Sequence, residues 1–194
     1  MDISRNDMSQ NDVSLNRALV RTILEHAEDY PFVMQEIGLL GLRLDDQREF
    51  RLHVWDSTSS FGEPPIHDHP FDFTSTVIVG EMTNTRYTED PLGAEYHRVR
   101  YTPPNEDDRR RDMLRLSGVA TTHPAGSQYH QLARELHDSR QLPGTVTIIR
   151  RTFTATASEL TVCKREETGW ISGQSRPAAL ADVKRIAAMA LERF

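Results

Sequence analysis

Two hydrophobic periods divide the chain. Near the N-terminus the apolar residues Val13, Leu15, Leu19, Val20, Ile23, Leu24 and Ala27 recur three and four apart, the spacing of one helix face. Asp12 stands where a cap is wanted and Pro31 stops the run, which predicts a helix over about 12–29. At the other end Leu180, Val183, Ile186, Ala187, Ala190, Leu191 and Phe194 form a second stripe. Pro177 suits a first helical turn, so a helix is expected over about 177–193. Both helices are amphipathic and need a surface to lie on.

Between them the period falls to about two. EFRLHVW alternates Phe50, Leu52 and Val54 against Arg51, His53 and Trp55, and FTSTVIV is β-branched up to Gly80. MTNTRYT, EYHRVRYT, DMLRL, TVTIIRRTFTAT and ELTVCK continue the series. Turn residues punctuate it at Asp45-Asp46, Gly62 to Pro65, Pro91 to Gly93, Pro103-Pro104 and Pro143-Gly144. Eight or nine short strands over about 33–165 with no crossover helices mean a mainly β sandwich or barrel. The charge run PPNEDDRRRD is expected to be a solvated loop. Residues 1–11 lack periodicity and are expected to be a mobile tail; 12–194 read as a single domain.

Composition narrows the chemistry. With 23 basic and 29 acidic residues the net charge is −6, so nucleic acid is not an expected partner. No apolar run is long enough for a membrane helix, and MDISRNDMSQND lacks the apolar stretch of a signal peptide. A soluble, cytoplasmic protein is expected. The single Cys163 excludes a disulfide framework and a cysteine-based zinc knuckle.

Candidate chemistry rests on the histidines. His67 and His69, in PPIHDHPFDF, are two apart, so on a strand both imidazoles face one side and can reach one point. Imidazole suits iron, copper, nickel and zinc rather than hard, oxygen-seeking ions. His53 and His97 lie on strand-like segments, at a barrel mouth or on the surface; His26 and His137 are expected at the surface.

Glycines and a third histidine complete a pattern. Gly62 precedes the pair in GEPPIHDH, and GVATTHPAGSQYH runs from Gly118 through Pro124 and Gly126 to His130. These blocks resemble the paired motifs of the cupin superfamily, G-x5-HxH-x3,4-E-x6-G and G-x5-PxG-x2-H-x3-N, over about residues 47–156. The first block is one residue short before its histidines and the second one residue long before His130. The resemblance implies an antiparallel jelly-roll barrel, flanked here by the two helices, with a metal held by His67, His69 and His130. The usual glutamate would fall at Phe73 or Thr74, neither a ligand. Either Asp72 substitutes for it or the site has three histidines; strand alternation turns Asp72 away and favours the latter. No Asn follows His130. IHDH at 66–69 is similar to the three-histidine thiol dioxygenases such as cysteine dioxygenase, whose carboxylate-binding arginine would correspond to Arg43, Arg48 or Arg51.

The resemblance implies a non-heme Fe(II) dioxygenase acting with O2 on a small polar or anionic molecule, thiols included. Zn, Mn or Ni are the other metals it admits. Alternatives on the same scaffold are a metal-dependent isomerase or lyase and a non-catalytic small-molecule-binding cupin. Tyr129 and His123 are the candidate acid–base groups beside the metal. Arg86 is a candidate anion clamp if it shares the phase of Met82 and Asn84. A homodimer is expected from the family and the two unpartnered helices.

Overall fold

In the computed structural model, residues 13–35, 37–47, 49–56, 65–102, 105–154, 160–165 and 175–194 are described. In chain order they form α1 (Val13–Glu25), a 3-10 turn (Ala27–Asp29), β1 (Val33–Gln35), β2 (Leu39–Arg43), β3 (Phe50–Trp55) and β4 (Ile66–His67). There follow β5 (Phe71–Val79), β6 (Glu81–Thr102), β7 (Asn105–Pro124), β8 (Gln128–Gln131), β9 (Leu136–Gln141) and β10 (Val146–Thr154). The last elements are β11 (Leu160–Lys164), β12 (Ser175–Pro177) and α2 (Leu180–Leu191).

The pairing is nested. β6 pairs with β7, β5 with β8, β4 with β9 and β3 with β10, all antiparallel. A hairpin of eight strands has been rolled up, which is the jelly-roll arrangement. It yields two antiparallel sheets, ordered β12-β1-β2-β3-β10-β5-β8 and β11-β4-β9-β6-β7. At the β5–β6 corner Gly80 has φ of +83°, and a Cβ there would lie 2.9 Å from the Thr145 Cα, so the turn takes only glycine.

Both helices lie on the outside of the larger sheet. Val20, Ile23 and Leu24 of α1 and Val183, Ile186, Ala187 and Ala190 of α2 pack with Leu40, Leu42, Phe50, Leu52, Val54, Ile78 and Ile148. The alternation of β3 therefore sends its apolar set outward, under the helices. Its other face (Arg51, His53 and Trp55) lines a cavity between the sheets. The buried Asp56 fastens the arrangement, accepting bonds of 3.0 and 2.6 Å from the Arg185 guanidinium of α2.

Several expectations about local structure are corrected. The charge run is not a loop: from Asn105 onward it is part of β7, and its last residue, Asp112, pairs with β6 across the hairpin. Arg98 donates to both Asp112 oxygens at 2.7 and 2.6 Å, and Arg100 joins at 3.1 Å. Pro91 to Gly93 is a bulge within β6 rather than a turn, with a register shift between Glu89 and Ala94. α2 begins at Leu180, because Pro177 pairs with Val33 at the end of β12. The tail at 1–11, the expected cap Asp12, Arg48, Gly62, Pro64 and Pro103-Pro104 lie outside the described residues. Among the described residues no helix is long and apolar enough to cross a membrane.

Leu52 is fully buried beneath the helices, so Leu52→Ala is expected to cost about 2–5 kcal/mol in urea unfolding. A loss under about 0.5 kcal/mol, the range of surface substitutions, would contradict the packing. On the opposite face, burial pushes the His53 pKa down to about 3, helped by the Arg51 and Arg151 charges. The folded state thus keeps His53 neutral, whereas the unfolded chain takes up a proton below pH 6.5. The stabilisation is complete above pH 6.5 and is lost as pH falls toward 3, at up to about 1.4 kcal/mol per pH unit. His53→Gln should flatten the acid limb of the unfolding midpoint between pH 6.5 and 4.5; an unchanged slope would place His53 in water.

Candidate metal centre

Three imidazoles meet inside the roll: His67, His69 and His137, with one nitrogen of each lying within 4.8 Å of the others. Ring centroids are 4.8 Å apart for His67–His69, 4.7 Å for His67–His137 and 5.2 Å for His69–His137. Local chain geometry explains the convergence. His67 ends the short β4 and sits directly opposite His137 of β9. Between the two early histidines Asp68 turns aside and is buried. Its carboxylate accepts the Thr161 N–H at 2.7 Å and faces the Arg134 guanidinium at 3.4 Å. Arg134, in the left-handed region at φ 69°, points its own N–H at the His69 carbonyl, 2.9 Å away. With the intervening residue pinned, His67 and His69 both face the cavity.

Hydrogen bonds select which nitrogen each ring offers. His67 Nδ1 donates to the Pro65 carbonyl at 3.0 Å, and His137 Nδ1 is 2.8 Å from the Asn84 side-chain oxygen. That leaves Nε2 of both rings as bare acceptors, and His137 Nε2 is buried with no partner among the described residues. Burial lowers the pKa of all three rings, and the neighbouring His67 and His137 depress His69 further. Neutral imidazoles with an orphaned, inward nitrogen fit a divalent metal.

The cavity around them measures about 750 Å3. Its walls are largely apolar and aromatic, including Ile37, Leu39, Trp55, Phe71, Phe73 and Ile149. Phe71 stacks on His69 at 5.0 Å, and Phe73 meets it edge-on at 5.3 Å. Arg51 and Arg151 also line the space, and Arg151 lies over the Phe71 ring at 3.8 Å; Arg140 borders it from β9 but is exposed. Among the described residues the lining carboxylates are Asp56 and Asp68, and each faces an arginine from outside the lining, Arg185 and Arg134.

The structure does not bring His130 to this cluster. β8 pairs with β5 so that His130 faces Thr74 and Gln131 faces Phe73. Phe73 and Gln131 point inward, so His130 is exposed on the outer face, its Nδ1 3.3 Å from Thr74 Oγ1. His137, expected at the surface, is buried in its stead. Asp72 is likewise outside the cluster, its carboxylate accepting the Ala133 N–H at 2.7 Å.

Tyr129 alternates inward. It is buried in the cavity wall, its hydroxyl 3.1 Å from the Met82 sulfur and its pKa raised by burial. His123 lies in β7, next to its last residue, and stacks on Tyr129 at 4.6 Å; burial and then Arg86 lower its pKa. Arg86 does share the phase of Met82 and Asn84 but is exposed, and it donates to the His130 carbonyl rather than lining the cavity. Among the early arginines Arg51 lines the cavity, whereas Arg43 is exposed. Cys163 packs with Ile66, Tyr96, Leu114 and Leu116, outside the cavity lining, where burial pushes its thiol up to about 12.

No family model matches the sequence, and no curated protein matches it. Solved structures resemble the chain at low similarity, two of them as follows. One is described as Drosophila melanogaster CENP-C bound to CAL1, with a TM-score of 0.36 and 10% identity over 71% of this chain and 96% of that one. The other, a Drosophila melanogaster CENP-C cupin domain, has a TM-score of 0.35 and 10% identity over 73% of this chain and 99% of that one. Likeness at this level says nothing about the chemistry of the cavity.

Proposed function

We propose that the chain is a metal-dependent enzyme of the cupin type, a non-heme Fe(II) dioxygenase acting on a small anionic molecule. His67, His69 and His137 would hold the ion. The observation that carries this reading is His137 Nε2, a buried acceptor with no partner that faces two further neutral imidazoles. The jelly-roll order of the sheets and the IHDH and PAG motifs support the cupin assignment.

Three neutral ligands leave coordination positions open, and an iron ion there would supply sites for O2 and a substrate heteroatom. The remaining work falls to the chain. Arg51 and Arg151 bring positive charge to the cavity wall beside His53 and His69, which favours a substrate carrying negative charge. Trp55, Phe71 and Phe73 receive its apolar part and exclude water from beside the imidazoles. Tyr129 is separated from the rings by Phe73, at centroid distances of 6.3 Å to Tyr129 and 5.3 Å to His69. Its raised pKa keeps the hydroxyl protonated, able to donate toward a bound oxyanion.

The ligand set is tested by elemental analysis after anaerobic loading with Fe(II). Wild type and His130→Ala should retain near-stoichiometric iron, while His137→Ala should weaken binding by well over about tenfold. A fully loaded His137→Ala variant would overturn the assignment. The reaction class is tested by O2 uptake with the iron-loaded chain across small thiols, amino acids and other carboxylates. At least one anionic member should support uptake; none doing so would reject the dioxygenase reading.

A further inference from the structure

A chain of buried side chains leads away from His137. Asn84 Oδ1 is 2.8 Å from His137 Nδ1, and Asn84 Nδ2 is 3.2 Å from Gln131 Oε1. Gln131 Nε2 in turn lies 3.0 Å from Glu135 Oε2 and 3.4 Å from the Glu135 carbonyl oxygen. Asn84 and Gln131 are almost wholly buried, so neither amide can turn to water for a substitute partner.

An amide can be turned end for end with little change of shape, so its neighbours decide which end donates. The far end of this chain allows no choice. A carboxylate and a backbone carbonyl only accept, so Gln131 must present its nitrogen to Glu135 and its oxygen to Asn84. Asn84 must then present its nitrogen to Gln131 and its oxygen to His137. Ser139 Oγ, 3.4 Å from Asn84 Oδ1, agrees as a second donor to that oxygen. An oxygen at 2.8 Å requires the imidazole proton on Nδ1, which leaves Nε2 as the bare nitrogen facing His67 and His69. Glu135 is itself held, accepting the Leu132 N–H at 3.1 Å.

We infer that Gln131 and Glu135 are positioning residues for the centre: acting through Asn84, they lock His137 in the tautomer that offers Nε2 inward. The role in metal binding rests on the function proposed above; the tautomer itself does not. Asn84 touches the ligand, whereas Gln131 and Glu135 act two and three side chains away.

The full-length chain, labelled with 15N at histidine and freed of metal, is read by long-range proton–nitrogen NMR, with Zn(II) affinity measured by chelator competition. In wild type His137 should carry its proton on Nδ1. Gln131→Met should populate the Nε2–H form and weaken Zn(II) binding by roughly tenfold, the scale of losing a partner behind a histidine ligand. Asn84→Asp supplies an acceptor that needs no orienting, so adding Gln131→Met to it should cost nothing further. Glu135→Gln, of unchanged shape, should loosen the preference by less, because the carbonyl of residue 135 remains; it serves if Gln131→Met does not fold. An Nδ1–H tautomer retained in both variants overturns the inference. So does an equal loss from Gln131→Met in the Asn84→Asp background, which marks a packing effect. A tautomer that responds as expected in a chain that binds no Zn(II) upholds the lock and rejects the metal centre.

Discussion

Space for imidazoles and guanidinium groups inside a small protein has to be held open by apolar packing somewhere else. Here that packing is on the outside of the larger sheet, where α1 and α2 cover Phe50, Leu52, Val54 and Ile148. With the helices supplying the core, the inner face of the same strands is released from that task and carries Arg51, His53, Thr147 and Arg151 toward the cavity. The ion pair between Arg185 of α2 and the buried Asp56 ties the cover to the strand it covers. Without the helices, burying one face of this sheet would mean filling the cavity.

The rolled hairpin then does the positioning. Because the strands nest, residues far apart in sequence become neighbours: His67 of β4 faces His137 of β9, and the bonds that aim His137 come from β6 and β8. Burial keeps the rings uncharged, the form that binds a cation. The arginines that line the same space cannot ligate, but they make it hospitable to an anion that can. On the proposed reading His67 and His137 of one sheet, with His69 beside them, would hold the ion, and Arg51 and Arg151 of the facing sheet would favour a negative charge.

Much of this was legible in the chain. The helical stripes, the period-two runs and the His67–His69 pair follow from spacing alone, because each reflects one element burying one face. What failed was the part that depends on register. His130 sits at the end of the expected motif, yet a strand of four residues paired with β5 turns it outward and Gln131 inward. His137 was passed over because LHDSRQ has no apolar alternation. Its inward positions, His137, Ser139 and Gln141, are polar for the very reason that they line the cavity. A period-two reading that scored polar residues against polar ones, seeking a histidine opposite IHDH, would have found it. The charged stretch before Met113 reads as a loop for a related reason: its polarity hides a hairpin strand, whose Asp112 meets Arg98 and Arg100 of β6.

On the proposed reading one ion is held by three imidazoles, His67, His69 and His137, and by no carboxylate. X-ray absorption at the iron edge of the anaerobically loaded full-length chain counts those ligands directly. The multiple-scattering pattern of three imidazoles per iron is the predicted result. A spectrum fitted by one imidazole or none, with oxygen donors making up the shell, would contradict it.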